Sequence, residues 1–234
     1  YLLGSKNTSF FYYVMFIFLV SFKSKFKNEP VPFYLIPVQV LQIVTLYICD
    51  SMNGLLMMVV VLVYYIVERY DIPVKRIMKP KYLFFCVALV ALLLPAAMQS
   101  GILKSVLASL GREATFTGRD LLWRDAILHI TQSPIIGKGP NIKFFAATGL
   151  AKTQAHNLFL DCAAKYGLVS LFIMLATVFN EIKQISKMDN KNLAICCGLF
   201  IFVLMFHSIF DTMPLFPLIC ILSLSEYCAL VKIH

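Results

Sequence analysis

The sequence predicts an all-α fold: a polytopic bundle of transmembrane helices with one long extracytoplasmic loop. Of its 234 residues 60% are hydrophobic, and its mean hydropathy is +0.80, more apolar than a water-soluble domain needs to be. The apolar residues form runs long enough to cross the ~30 Å hydrocarbon core, where helices satisfy every backbone group. Short basic stretches separate these runs. We interpret residues 1–234 as a single integral membrane domain.

The apolar runs indicate about seven spans, some of them short and tolerated through packing against neighbours. The predicted spans are residues 8–22, 33–49, 54–68, 82–99, 157–179, 193–209 and 213–231. The chain does not start with Met, and its first residues are not a charged leader with a cleavage site. We therefore expect the first residue to be a cut through a longer protein.

Charge alternation between the loops predicts the orientation. Three loops are basic, around residues 23–27, 69–81 and 183–191, whereas the turns at 50–53 and 207–211 contain no Lys or Arg. The positive-inside rule then places the basic loops in the cytoplasm and residues 101–154 outside. A segment of that length can be translocated regardless of its charge. We expect a bacterial cytoplasmic (inner) membrane protein with an extracytoplasmic active face.

The net charge of +9 is distributed over short runs between apolar segments, which argues against nucleic acid and for anionic lipids or a phosphate-bearing substrate. The seven cysteines contain no CxxC pair and lie in or beside apolar segments. We interpret them as small apolar residues and predict neither a disulfide framework nor a metal site. No cofactor is expected.

The outer segment 101–154 contains one readable helix. Thr117 is a plausible N-cap with Asp120 three residues later, and Pro134 with the turn at 137–140 ends the helix. Apolar residues recur at helical spacing between these signals. We predict an amphipathic helix on the outer interface, anchored there by the single tryptophan, Trp123.

Arginines in this segment are candidates for anion binding. Arg119 stands in the first helical turn, close in sequence to Arg112 and Arg124. A guanidinium presents a planar fork that bonds phosphate oxygens in a bidentate way. The alternative is an arginine that pairs with lipid head groups, or with Asp120 or Asp125.

His156 opens the fifth span, where we expect it in the first turn of the helix, and is the candidate general base. At a helix start it faces the positive end of the dipole, which favours a neutral imidazole. Such an imidazole can accept a proton from a sugar hydroxyl. The alternative is a hydrogen-bonded interfacial histidine without a chemical role.

The other candidates are polar residues at predicted helix ends and turns. His207 and Asp211 are four apart, on one face of the outer end of the sixth span. They either contact substrate or mark a polar helix end. The turn at 137–139 is too short for a Walker loop, but Lys138 and its backbone N–H groups could lie near an anion. The sequence contains no serine elbow and no acidic pair placed for metal-dependent sugar transfer.

Four blocks of this region, taken in order, resemble a known family. They are Gly118-Arg119-Asp120-Leu121-Leu122-Trp123, Pro134-Ile135-Ile136-Gly137-Lys138-Gly139, Ala155-His156-Asn157-Leu158-Phe159-Leu160 and Tyr166-Gly167-Leu168. The pattern is similar to that of the O-antigen ligase and polymerase superfamily. The resemblance is strong over about 117–175, and the span–loop–span layout extends it from about residue 50 to the end.

The resemblance implies a metal-independent polytopic glycosyltransferase that uses undecaprenyl-pyrophosphate-linked glycans as donors. In that case Arg119 binds the donor pyrophosphate, and His156 activates the acceptor or positions the donor. We assign catalysis to these two residues. The predicted substrate-binding residues are Arg112, Arg124, Lys138, Asn157, His207 and Asp211.

One departure separates two members of that superfamily. Where the family often has Ser-Arg at the outer start of a helix, this chain has Ser51-Met52-Asn53-Gly54, although Arg112 or Arg124 could supply the missing charge. We therefore favour a polymerase of O-antigen or capsule repeat units over an O-antigen ligase acting on lipid A core. A protein O-oligosaccharyltransferase is a further alternative.

Readings from other classes are a polysaccharide or lipid transporter and a non-enzymatic scaffold subunit. A transporter should show repeated halves and polar residues at mid-membrane, whereas here the polar residues gather at one face. The partners expected are the lipid-linked donor, an acceptor glycan and membrane lipids, with a flippase and a chain-length regulator as further assembly proteins.

Overall fold

The computed structural model of the chain describes residues 8–69, 79–99, 119–145, 151–212 and 215–230, and these residues are mostly helical. In chain order the helices are α1 (Thr8–Phe26), α2 (Leu35–Ile48), α3 (Met52–Arg69), α4 (Pro80–Gln99), α5 (Arg119–Gln132), α6 (Leu158–Ile185), α7 (Lys191–His207) and α8 (Leu215–Leu230).

Each apolar run predicted as a span is a helix in the structure, although α1 and α6 continue past the predicted ends to Phe26 and Ile185. Within the described residues two segments, Ser9–Phe26 and Leu158–Ile185, are long and apolar enough to cross a membrane. Five further helices there are apolar and shorter. That all seven cross the membrane stays a prediction.

One short strand pair departs from the all-α expectation. Strand β1 (Phe144–Phe145) pairs antiparallel with β2 (Ala151–Lys152), with Phe144 opposite Lys152. Side chains alternate across a strand, so Phe144 is buried while Phe145 is exposed. The Phe145 N–H donates to Asp125 Oδ2 of α5 at 3.1 Å. Packing and this bond hold β1 against α5, which is a tertiary effect that periodicity cannot predict.

Contacts divide the chain into two compact units. The first comprises residues 1–85, 179–207 and 214–234, and the second comprises residues 86–178 and 208–213. In the first unit α7 is buried along most of its length, with Phe200 against Phe18 of α1 at 5.2 Å between ring centroids. Asn190 caps α7 because its Oδ1 accepts the Leu193 N–H at 2.9 Å.

The core of the second unit forms around α5. Its buried residues are Leu122, Trp123, Ala126, Phe144, Ala155 and Ala164. Trp123 is only 2% exposed, so the prediction of an interfacial tryptophan anchor is wrong. Its large apolar ring contributes more by burial inside the unit than at a boundary with lipid. Thr117, the predicted N-cap of α5, lies outside the described residues.

Lys25 differs from the solvated loop cation that the charge pattern suggested. It lies in the last turn of α1, is 7% exposed and forms an ion pair with Glu68 of α3. Lys23 and Lys27 on either side are exposed. One of the three lysines of the first basic loop therefore has a structural partner.

Candidate active site

The backbone at His156 sets the start of α6. Asn157 is the N-cap: its Oδ1 accepts the Leu160 N–H at 3.0 Å, and its carbonyl accepts the Asp161 N–H at 2.9 Å. His156 precedes this cap with φ of 51°, a left-handed conformation uncommon for residues other than glycine. The expectation that His156 occupies the first helical turn is wrong, because His156 lies two residues before Leu158, where α6 begins. The side chain of His156 therefore projects from the segment just before α6 and contacts a different part of the chain.

That part of the chain is the segment after α7. His156 Nδ1 lies 2.9 Å from Asp211 Oδ1, and the His156 side chain is 35% exposed while that of Asp211 is 10% exposed. Asp211 Oδ1 also accepts the Thr212 N–H at 2.9 Å. A carboxylate on Nδ1 holds the imidazole in one orientation and favours the tautomer with the proton on Nδ1. Nε2 is then the nitrogen able to accept a proton from a substrate.

Asp211 was predicted to share a helix face with His207, and this is wrong because α7 ends at His207. His207 is fully buried in the first unit, where its ring stacks on Phe10 at 4.3 Å between centroids. The Asn53 Nδ2 amide donates to the His207 carbonyl at 3.1 Å. A spacing of four residues places two side chains on one face only within a helix. Since Asp211 lies beyond the end of α7, it contacts His156, whereas His207 packs on Phe10.

Arg119 begins α5 and is partly buried. Burial lowers the pKa of Arg119 from its ordinary value, and the negative charge of Asp211 acts in the opposite direction. Even so, a guanidinium stays charged in proteins. Asp211 therefore links both residues predicted to be catalytic: it bonds His156 and acts electrostatically on Arg119. Their convergence could not be inferred from positions 37 residues apart in the sequence.

Two functional neighbours escaped the sequence reasoning. Asp161 Oδ1 accepts the Ala155 N–H at 2.9 Å, and its Oδ2 pairs with Lys165 Nζ at 2.8 Å. Lys165 Nζ also donates to the Thr153 carbonyl at 2.8 Å. Both side chains are about nine-tenths buried. This pair ties the segment leading to His156 onto α6, and its signal was an oppositely charged pair four residues apart in an otherwise apolar helix.

A glycine-dependent junction fixes the other side of this segment. Gly167 interrupts α6 with φ of 83° and ψ of 168°, which frees carbonyls and N–H groups from the helical ladder. The loop at residues 134–140 bonds them: Lys138 N–H to Ala164 O at 2.9 Å, Gly139 N–H to Lys165 O at 2.9 Å, and Leu168 N–H to Pro134 O at 2.7 Å. Backbone groups of the loop thus take the place of the helical hydrogen-bond partners that α6 loses at the break.

The 134–140 loop and α6 approach each other so closely that no side chain fits at two positions. A Cβ on Gly167 would lie 1.8 Å from the Ile135 carbonyl oxygen, and one on Gly137 would lie 2.4 Å from the Lys165 backbone. Both glycines also have positive φ. The idea that the Lys138 and Gly139 N–H groups bind an anion is therefore wrong, because they already donate to α6 carbonyls. The Lys138 side chain is exposed.

Arg124 and Asn157, two further predicted residues, belong to the second unit. Arg124 is exposed on α5, and Arg112 lies outside the described residues. Asn157 is fully buried as the α6 cap, and its Nδ2 makes no hydrogen bond within the described residues. Among those same residues no group of three or more His, Cys, Asp or Glu could hold a metal ion.

The second unit thus presents a histidine–carboxylate pair and a partly buried arginine, joined to a mostly helical, strongly apolar chain. A family model described as O-antigen ligase matches residues 37–175. Since this is more than half of the chain, the protein belongs to the O-antigen ligase family. The family is membrane-integral, and membership makes the protein a membrane enzyme of the glycosyltransferase type with an O-antigen-related role. No curated protein and no solved structure matches the chain.

Proposed function

We propose that the protein polymerises repeat units of a surface polysaccharide from an undecaprenyl-pyrophosphate-linked donor at the outer face of the bacterial inner membrane. The observation that carries the proposal is the His156–Asp211 pair, with Arg119 under the influence of the same carboxylate. A base and a fixed cation are the two groups that glycosyl transfer from a pyrophosphate needs.

In the proposed step an acceptor sugar hydroxyl attacks the anomeric carbon of the donor. His156 Nε2 accepts the hydroxyl proton while Asp211 stabilises the resulting imidazolium through Nδ1–H. The new carbon–oxygen bond forms as the bond between the anomeric carbon and the phosphate oxygen breaks. Undecaprenyl pyrophosphate leaves with that electron pair, and Arg119 neutralises the charge on its oxygens. No metal ion takes part in this scheme.

The exposed cations Arg124 and Lys138 are proposed to attract the pyrophosphate, and Arg112 is proposed to share this role. Asn157, which is fully buried as the cap of α6, is proposed to hold His156 in position for the substrate. Asp211 is proposed to act through His156. His207 is the last residue of α7, and its proposed role is to pack that helix end against Phe10 within the first unit.

A ligase that transfers the glycan to lipid A core is the second candidate, favoured by the description of the matching family. At the position of the family's Ser-Arg this chain has Ser51-Met52, and Asn53 bonds the end of α7. The acceptor separates the two candidates. In a deletion strain, loss of long glycans bound to undecaprenyl pyrophosphate that complementation with the gene reverses indicates the polymerase. Normal long lipid-linked glycans that fail to reach lipid A core indicate the ligase.

His156→Ala should lower the amount of polymer by about 10²-fold or more, because general-base catalysis typically contributes 10²–10⁴-fold. His156→Gln keeps a hydrogen bond to Asp211 but cannot accept the proton, and it should be equally inactive. The measurement is a gel of surface polysaccharide with immunoblotting for the protein in membranes. His129→Ala is the matched control, since His129 lies on α5, packs against Phe144 and has no part in the proposed step. Normal polymer from His156→Gln would reduce His156 to a positioning group.

Arg119→Lys should lower the rate by about 30-fold, equivalent to about 2 kcal/mol, because a point charge cannot reproduce a bidentate fork on pyrophosphate. Lys143→Arg, a charge-conserving change at an exposed position of the same unit, is the control and should change the rate little. Near-normal polymer from Arg119→Lys would assign this arginine to lipid head groups.

A further inference from the structure

A cavity of about 710 Å³ lies within the first unit, remote in sequence from His156 and Asp211. Its lining comes from the end of α1, the segment that leads into α2, and the end of α3. The lining residues are Lys25, Pro30, Val31, Pro32, Phe33, Ile36, Tyr65, Ile66 and Glu68. Its volume falls in the range of small-molecule sites, which combine apolar walls with a few fixed polar groups.

The polar groups are the ion pair described above. Lys25 Nζ contacts Glu68 Oε1, and the two side chains are 9% and 12% exposed. Lys25 has three N–H donors. Glu68 Oε2 is fully buried, and the Tyr64 hydroxyl is a hydrogen-bonding neighbour of the same carboxylate. A buried ion pair is costly unless further hydrogen bonds satisfy its remaining valences. Lys25 and Glu68 both line the cavity, so a ligand that enters it meets a positive and a negative charge side by side.

The lining dictates which partner fits. A simple anion would suit Lys25 but would be repelled by Glu68, and a simple cation would meet the reverse conflict. A zwitterion satisfies both and adds no net charge. The proline-rich wall and Ile36 and Ile66 suit an apolar remainder. Exposed Lys23 and Lys27 flank the site, and Phe33 is 77% exposed, a mixture typical of the boundary between head groups and acyl chains.

We propose that this cavity is a lipid site that binds the head group of an aminophospholipid, phosphatidylethanolamine in chemical class. Its ammonium donates to the Glu68 carboxylate, its phosphate accepts from Lys25, and its glycerol and upper acyl chains lie against Pro30, Pro32 and Ile36. This site is independent of the proposed sugar transfer and would make the protein respond to the composition of its membrane.

The first test compares lipids on the unaltered protein. The intact chain is purified, delipidated in detergent and titrated with phosphatidylethanolamine, phosphatidylcholine or phosphatidylglycerol while native mass spectrometry counts bound lipid. Phosphatidylethanolamine should bind about tenfold more tightly than phosphatidylcholine, whose trimethylammonium has no N–H to donate. Phosphatidylglycerol lacks the cation and should also bind weakly. Equal binding of the three lipids would overturn the proposal, and so would displacement by millimolar free phosphate.

The second test uses matched variants. Glu68→Gln removes the charge that pairs with the ammonium and should abolish the tenfold preference, whereas Glu29→Gln, an exposed site with the same change in charge, should retain it. Lys25→Met and the exposed Lys27→Met form the equivalent pair for the phosphate. Preference retained in Glu68→Gln would exclude the assigned site. If that variant does not fold, the lipid comparison on the unaltered protein decides alone.

Discussion

Helices α6 and α7 are both strongly apolar, but they obtain their stability differently. α7 is continuous, and its buried residues occur on every side of the helix. α6 is interrupted at Gly167, and after that break large side chains such as Phe172 and Ile173 are more than half exposed. Between its two ends, which Asn190 and Asn53 cap, α7 bonds its own backbone. α6 depends on the 134–140 loop to complete its hydrogen bonds.

The difference shows how the candidate active site is attached. A continuous helix offers side chains to its surroundings, but a broken helix also offers backbone groups to which a loop can bond. The junction at Gly167 holds the 134–140 loop on α6. The Asp161–Lys165 pair holds residues 153–155 on the same helix, directly before His156. His156 is therefore carried by a constrained segment although it lies outside any helix. Substitutions that disturb the break should act on the site, and substitutions in α7 should act on packing alone.

The largest effect is expected from Gly167→Ala. The added Cβ would lie 1.8 Å from the Ile135 oxygen, and alanine is strained at φ of 83°. Displacing the loop also weakens three backbone hydrogen bonds. The free energy of unfolding should fall by about 4 kcal/mol, measured by thermal melting in detergent. Gly139→Ala is the control: it has φ of 91° but open space around its Cβ, and it should cost only about 1 kcal/mol. Equal losses would mean that strain alone, and not the junction, matters.

Lys165→Met should come next, with a loss of about 3 kcal/mol, because it leaves the carboxylate of Asp161 buried and unpaired. Polymer yield should fall as well, since Thr153 and Ala155 lose the pair that holds them before His156. The double variant Asp161→Leu, Lys165→Met should recover part of the stability without the polymer. Lys183→Met, at an exposed position of the same helix, should change neither quantity. Full polymer from Lys165→Met would show that the pair does not position His156.

The smallest of the three effects is expected in α7. Gly198→Ala places a Cβ 2.5 Å from the Pro80 ring, an overpacking that should cost about 2 kcal/mol. The polymer formed per folded molecule should be unchanged, since Gly198 belongs to the first unit, whereas His156 and Asp211 belong to the second. Activity and melting temperature measured on one preparation test this. A specific loss of activity at normal stability would contradict the division between packing and site.

Sequence patterns determined much of the secondary structure because apolar runs and breakers act locally. The seven apolar runs, the helix ending near Gln132 and the interruption around Pro134 were all readable from spacing and residue type. The candidate residues Arg119 and His156 were also readable, but through their place in a family pattern. Neither residue carries a local signal strong enough to separate a catalytic role from an interfacial one.

Tertiary contacts decided which residues share the site and how each is used. Asp211 faces His156 only because the chain turns after His207, and Trp123 is buried only because β1 and α6 residues pack around it. Gly137 and Gly167 could be recognised as breaks in regular structure. Glycine is required at these positions because two backbone segments about 30 residues apart approach each other closely there. Periodicity reports what a residue prefers within its own helix. The partners of a loop histidine, a cap or a buried lysine depend on packing between segments distant in sequence, and this chain settles them only on folding.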